Sequence, residues 1–447
     1  MRVGVIGGGL AGITAALACT DAGASVVLIE ALPRLGGATF SIKRNGYWLD
    51  NGQHVALRCC TEYRRLLHRL GTDRFLELQP RLSIDVLDAD GRAATFARSE
   101  LPAPFHLLRA LAGFGHLAPR ERLSAARAVH ALRSVDPADP IGETTTFGGW
   151  LRVHGPSARA IDRLWDLIVL PTLNLHANDA SLAAAAFVFR TGFLETSDAC
   201  DLGVPTMPLG RLHGEAAASA LAANRVQVQL RTKVDRIIPL DDGFELEVRG
   251  DRVPVDRVIC AVPHDVAPGL LPDGVYTAEA AEVLGASPIV NLHLHYDRPV
   301  LGTTVAAAVG APVQWIFDRT AASGVAEGQL LAVSLSAAEA EIGRPKAQIV
   351  AEATAALERM LTRARRAKLL DAAVTRSPRA TFRAAPGAGR LRPPARTGIP
   401  GLALAGAWTD TGWPATMEGA VRSGHAAARE VLTGPIRSRR GAETVAA

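Results

Sequence analysis

Gly7-x-Gly9-x-x-Gly12 stands between a short apolar stretch, Arg2 to Ile6, and an Ala/Leu-rich stretch, Ile13 to Ala22. That spacing suits a pyrophosphate. Gly7 permits a tight turn, Gly9 lets a phosphate approach the backbone without meeting a Cβ, and Gly12 lets a helix pack closely on the preceding strand. The helix N-terminus behind them offers free N–H groups and the positive end of its dipole. Glu30 closes a second apolar stretch, Ser25 to Ile29, 18 residues after Gly12. A carboxylate there can accept hydrogen bonds from both hydroxyls of a ribose. A glycine-rich turn in another kind of α/β protein is the alternative. Strand, helix, strand and terminal acid in register favour a dinucleotide.

Three further segments carry candidate chemistry. Arg34-x-Gly36-Gly37 pairs a phosphate-binding side chain with two glycines that let the backbone lie flat against a planar ligand. An ordinary loop with a surface arginine fits equally well. Asp50-Asn51-Gly52 reads as a turn after Trp48 and Leu49, leaving Gln53 and His54 beside a reactive ring or simply hydrogen-bonded in the turn. Gly401 to Gly406 reads as a buried strand, followed by a loop containing Asp410 and a helix opening near Met417. It repeats the strand, glycine loop and helix of the N-terminal segment, a second clamp whose helix dipole can face the polar side of a ring.

Asn291, His293 and His295 alternate and so share one face of a strand, predicted to be half exposed. No third ligand accompanies the histidines, and none of the five cysteines has metal-ligand spacing, so no metal site is expected. Sparse, odd-numbered cysteines fit a reducing compartment.

The elements that must position these residues follow from composition and periodicity. A chain of 447 residues with 48% hydrophobic content exceeds one ordinary core, so two domains are expected. The net charge of +5 is small for this length, and its arginines are scattered. No aromatic–basic interleaving points to nucleic acid, and none is expected as a partner. No stretch reaches the roughly 18 apolar residues of a spanning helix, and Met1 lies one residue from the first strand. A cytoplasmic protein is expected, at most lying on the inner face of the cell membrane. Leu101 to Arg133 is predicted helical, with Phe105, Leu107, Leu108, Leu111, Phe114 and Leu117 among basic residues. It fits either an amphipathic contact with a bilayer surface or a helix pair packed on a substrate domain. Pro171 is predicted to break the helical run from Trp165 to Asn174.

Taken together, these segments resemble the flavin amine oxidase and phytoene desaturase superfamily. Leu49 to His54, Pro171 to Leu175 and Thr411 to Thr416 are similar to the squalene-associated FAD-dependent enzymes of hopanoid synthesis, the hydroxysqualene dehydroxylases. The resemblance implies an α/β (α+β) fold: a Rossmann-like FAD-binding domain of residues 1–80, 203–269 and 396–435, with an interleaved substrate domain of residues 81–202 and 270–395. Residues 436–447 are expected to form a disordered tail. It implies FAD contacts at Gly7, Gly9, Leu10, Ala11, Gly12, Glu30, Arg34, Gly36, Gly37, Gly52, Gln53, His54, Val234, Gly406 and Met417. It further implies a long-chain isoprenoid substrate, a separate electron donor for the flavin that the sequence does not identify, and reductive removal of a hydroxyl. His54 is the first candidate for the acid that protonates the departing oxygen and Asp410 the second. Oxidative desaturation of a carotenoid-type polyprene, or a non-catalytic flavin- and polyprene-binding accessory role, are the alternatives. Ala38 and Ala407 stand where the family usually carries Arg and Asp, which predicts weakened, reversible FAD binding.

Overall fold

The structure, a computed structural model, describes residues 1–434; the expected disordered tail, 436–447, lies outside the described residues. The chain divides into two units. The first takes Met1–Gly37, His213–Val283 and the chain from Leu391 on; the second takes Ala38–Leu212 and Leu284–Arg390. Residues 38–80 thus group with the second unit, and 270–283 with the first.

The first unit is built on a five-stranded parallel sheet. Its order is Gln227–Gln229, Ser25–Ile29, Arg2–Ile6, Arg257–Cys260 and Leu402–Leu404. The four strands other than the edge strand Gln227–Gln229 read as largely apolar runs because both faces are covered. Val3, Val5, Leu28, Val258, Ile259 and Leu404 are buried. Helices Leu10–Asp21 and Met417–Thr433 pack against each other beside the sheet. An antiparallel meander, Val234–Leu240, Gly243–Val248 and Asp251–Val255, also lies against it. The meander explains Gly4: a Cβ there would stand 2.9 Å from Leu246 Cδ1.

The second unit carries a seven-stranded mixed sheet in the order Leu369–Phe382, Ala286–Tyr296, Gln329–Ser336, Trp315–Asp318, Val305–Val309, Ser83–Asp88, Ala93–Ala97. Its core gathers Leu292, Leu294, Ile316, Leu331 and Val333 with Ile349 and Leu357 of the helix Lys346–Met360.

Three readings of the sequence need correction. Leu101 to Arg133 is not one helical stretch. A short turn of helix, Phe105–Leu107, leads into Leu108–Gly113, and a separate helix starts at Pro119. Pro119 suits a first helical position, and Glu121 reaches back to accept from the Ala118 N–H at 2.9 Å. Pro171 does not break its helix, which runs Asp166–Leu173 and ends at Asn174 with φ of 53°. Pro171 falls in the last turn, where its missing N–H removes one intrahelical bond, and the Asn174 N–H still reaches Leu170 O at 2.9 Å at the helix end. Finally, the Asn291 and His293 face is buried, with 1% and 2% exposure, instead of half exposed. The strand Ala286–Tyr296 lies inside the sheet, and the turn at Asn51 covers that face, Asn291 Nδ2 lying 3.4 Å from Asn51 O.

Candidate cofactor and active site

In the first unit the glycine loop is shaped by contacts that no side chain could share. Gly7 has φ of 107°, and a Cβ on Gly12 would fall 1.9 Å from the Gly7 carbonyl oxygen. Gly37, with φ of 56°, brings the Arg34-x-Gly-Gly loop against Gly9, where its own Cβ would meet Gly9 Cα at 2.7 Å. Gly9 differs. Its φ is −76°, and the nearest atom to a Cβ there is 3.8 Å away. Neither backbone strain nor packing demands glycine at that position, whereas close approach of a ligand does. The first turn of Leu10–Asp21, including the amides of Leu10 and Ala11, has no intrahelical acceptors for its N–H groups. The buried Glu30 carboxylate accepts from Gly8 N–H at 2.6 Å and Leu32 N–H at 2.7 Å, which fixes its position at the strand end and leaves a lone pair on each oxygen. Arg34 Nη1 donates to Gly37 O at 2.8 Å, so the guanidinium shapes the Gly36-Gly37 turn. The residues present therefore fit a dinucleotide.

Elsewhere in this unit, Gly406 (φ of 137°) donates its N–H to Ser423 Oγ at 2.8 Å. Thr416 caps the helix that starts at Met417, accepting from Gly419 N–H at 3.1 Å. Gly424 lets this helix touch the first one: a Cβ there would lie 2.3 Å from Ala11 O. Arg392 donates to the carbonyls of Thr409 at 2.6 Å and Trp413 at 2.7 Å, holding the loop before the helix. Asp410 is exposed and accepts from Gly412 N–H at 3.1 Å, a turn-forming role. Val234 is buried at the start of the meander.

In the second unit, the turn Asp50 to His54 is held from several sides. Asp50 accepts from Ser41 Oγ (2.6 Å), Leu209 N–H (2.9 Å) and Arg319 Nη2 (3.0 Å). Asn51 Oδ1 accepts from Phe40 N–H at 2.9 Å, and Thr375 Oγ1 donates to Asn51 O at 2.8 Å. Gly52 is buried, with the Asn291 amide 3.1 Å from where its Cβ would stand. His54 Nδ1 lies 3.2 Å from Gly52 O. A carbonyl only accepts, so Nδ1 carries the proton and Nε2 presents a lone pair. Burial lowers the His54 pKa, opposed by the Gly52 hydrogen bond and by Asp50. The ring therefore accepts at neutral pH, and acts as an acid only after Nε2 takes up a second proton. Arg319 had no local sequence signal, since Asp50 lies 269 residues away. Among the described residues no group of three His, Cys, Asp or Glu side chains is gathered to hold a metal ion.

The helical part of this unit encloses a cavity of about 180 Å³. Phe105, Leu108, Leu111, Ile168, Phe189 and Phe193 are among its walls, and its polar lining is limited to His130, Arg133 and Trp165, whose buried indole N–H has no protein acceptor. Phe105 and Leu108 also reach the surface, being 51% and 50% exposed.

The sequence profile of the flavin-containing amine oxidoreductases matches residues 10–432. The chain belongs to that family. It is an FAD-dependent oxidoreductase. Among curated relatives, this flavin-containing amine oxidoreductase is 30% identical over 443 residues to the hydroxysqualene dehydroxylase of Rhodopseudomonas palustris, covering 96% of this chain and 98% of the relative. It is 24% identical over 469 residues to the 15-cis-phytoene desaturase of Arabidopsis thaliana, covering 97% of this chain and 80% of the relative. Its fold is that of a solved putrescine oxidase, with a TM-score of 0.72 at 19% identity over 97% of this chain and 99% of the other.

Proposed function

We propose that this FAD-dependent oxidoreductase removes the hydroxyl of hydroxysqualene reductively to give squalene. The observation that carries the reading is the end-to-end similarity to a hydroxysqualene dehydroxylase at 30% identity. The apolar cavity of the second unit supports it, because its walls suit a length of polyprene chain and its Trp165 N–H can donate to a hydroxyl oxygen.

In this reading the Gly7 to Gly12 loop and the first-turn amides would hold the pyrophosphate of FAD. Glu30 would accept from the ribose, the Gly36-Gly37 turn, Val234, Gly406 and Met417 would supply further contacts, and Gly52, Gln53 and His54 would serve the ring. FAD, once reduced by an external donor, supplies the hydride. The substrate's C–O bond breaks at an allylic carbon, which tolerates the developing positive charge. One proton goes to the departing oxygen, so that substrate, hydride and proton give hydrocarbon and water. His54 delivers that proton in its doubly protonated form, while Asp410 shapes its own loop. The apolar walls exclude water from the chain-binding cavity. Leu101, Phe105 and Leu108, each about half exposed beside basic residues, suit contact with a bilayer that holds the substrate. No helix among the described residues is long and apolar enough to cross a membrane.

One observation favours a second reading. The His54 Nε2 lone pair suits a proton acceptor, as an oxidative desaturation would need. Protein loaded with FAD, reduced anaerobically and mixed with hydroxysqualene separates the two. Reoxidation of the flavin with extracted squalene is the expected result. An unreactive reduced flavin, together with oxidised flavin that bleaches on phytoene, would replace the reading with the oxidative one.

A further inference from the structure

Behind the Asp50 to His54 turn, within the second unit, lies a cavity of about 10 Å³ lined by Asp50, Gln53, His293, Arg319 and Ser323 among others. Two polar atoms in this lining have no protein partner, Gln53 Nε2 and His293 Nε2, and His293 is only 2% exposed. We propose that this cavity is a binding site for one water molecule, which bridges Gln53 Nε2 and His293 Nε2 and thereby ties the Gln53-His54 turn to the strand Ala286–Tyr296.

Size sets the first constraint. A volume near 10 Å³ corresponds to about one water-sized sphere and to nothing larger. Chemistry sets the second. The Asp50 backbone raises the His293 pKa, as a carbonyl facing a ring N–H does, and Nε2 is the nitrogen that has no partner. Nδ1 therefore donates and Nε2 carries a lone pair. Burial drives the His293 pKa down to about 4, so the ring is neutral at physiological pH. The cavity therefore offers an acceptor at His293 and a donor at Gln53. A water satisfies both at once. Turning the Gln53 amide over would present a second acceptor, which a water also satisfies by donating twice. A cation is disfavoured because the lining carboxylate, Asp50, is already taken by Arg319, Ser41 and Leu209. An anion is disfavoured because neutral His293 points a lone pair at it. Leaving both buried atoms without partners is unfavourable, which is a reason for the site to be solvated.

The inference does not depend on the substrate. The test is a crystal structure of the full-length FAD-loaded protein at a resolution that shows ordered solvent, with 15N-histidine NMR of the same protein. A solvent peak within about 2.7–3.2 Å of both atoms, with His293 in the Nδ1–H tautomer down to pH 5, is expected. His293→Leu should lose the peak, and His293→Gln, which keeps an acceptor near the same place, should retain it. Both atoms bonded directly to protein groups, or a protonated His293 ring at neutral pH, would overturn the proposal. Should His293→Leu fail to fold, the wild-type density and spectrum decide alone.

Discussion

Arg319 and Asp50 form a buried ion pair 3.0 Å apart, with side chains 6% and 5% exposed, joining residues 269 positions apart in sequence. Arg319 also donates to the carbonyls of Pro205 and Met207. The pair anchors the turn that carries Gln53 and His54 and closes one side of the small polar cavity behind it.

Breaking this pair from one side leaves an uncompensated buried charge. Arg319→Met should destabilise the protein by about 3–5 kcal/mol. Urea denaturation of Arg319→Met, Asp50→Asn and the double variant should give a coupling of at least ~1 kcal/mol. Additive losses would mean that Arg319 acts only through the two carbonyls.

The glycine contacts predict a graded series. Gly12→Ala pushes a methyl into the Gly7 carbonyl and Gly424→Ala pushes one into Ala11 O, at 1.9 and 2.3 Å. Each should cost about 1–3 kcal/mol and lower FAD retention. Gly398→Ala, with nothing within 4 Å of the added atom, should stay within about 0.5 kcal/mol of wild type. Thermal melts with and without FAD check all three.

Flavin should be lost on extensive dialysis or gel filtration, because Ala38 and Ala407 replace the Arg and Asp usual at those positions. Ala407→Asp should slow that loss several-fold, measured as the flavin-to-protein absorbance ratio after dialysis. Stoichiometric flavin in the dialysed wild type would show that the remaining contacts suffice.

Stability should fall on the acid side through His293. Its folded pKa, about 4, lies below the ordinary imidazole value of 6.5. The unfolded chain therefore binds the proton first. The contribution is complete above about pH 6.5 and is lost progressively as pH falls toward 4, by on the order of 3 kcal/mol. Urea midpoints at pH 7.5 and 4.5 should show a smaller difference in His293→Gln than in wild type.

The geometry of the N-terminal part of the candidate cofactor site was legible in the sequence because its determinants are local. Gly7 and Gly9 lie between the first strand and the first helix, Gly12 lies in that helix, and Glu30 follows the second strand, within 22 residues of its Gly8 partner. The turn at Asp50 to His54 was visible by residue type, yet its anchors were not. Arg319 reads as a scattered arginine until the fold brings it to Asp50. The alternation of Asn291 and His293 gave the face but not its burial, which depends on a turn some 240 residues earlier in the chain. The helix through Pro171 shows local propensity yielding to packing: Asn174, at its end, is fixed by the Ser287 carbonyl and the Ala337 amide.

The parallel sheet draws its strands from both extremes of the described chain, with Arg2–Ile6 at its centre and Leu402–Leu404 at its edge. A nascent chain emerging from the ribosome thus completes every segment of the second unit, through Arg390, before the edge strand and the helix Met417–Thr433 exist. The second unit can settle during synthesis, while the nucleotide-binding sheet waits for release of its last strand. A product truncated before Leu402 lacks the edge strand and leaves the first helix uncovered where Gly424 presses on Ala11.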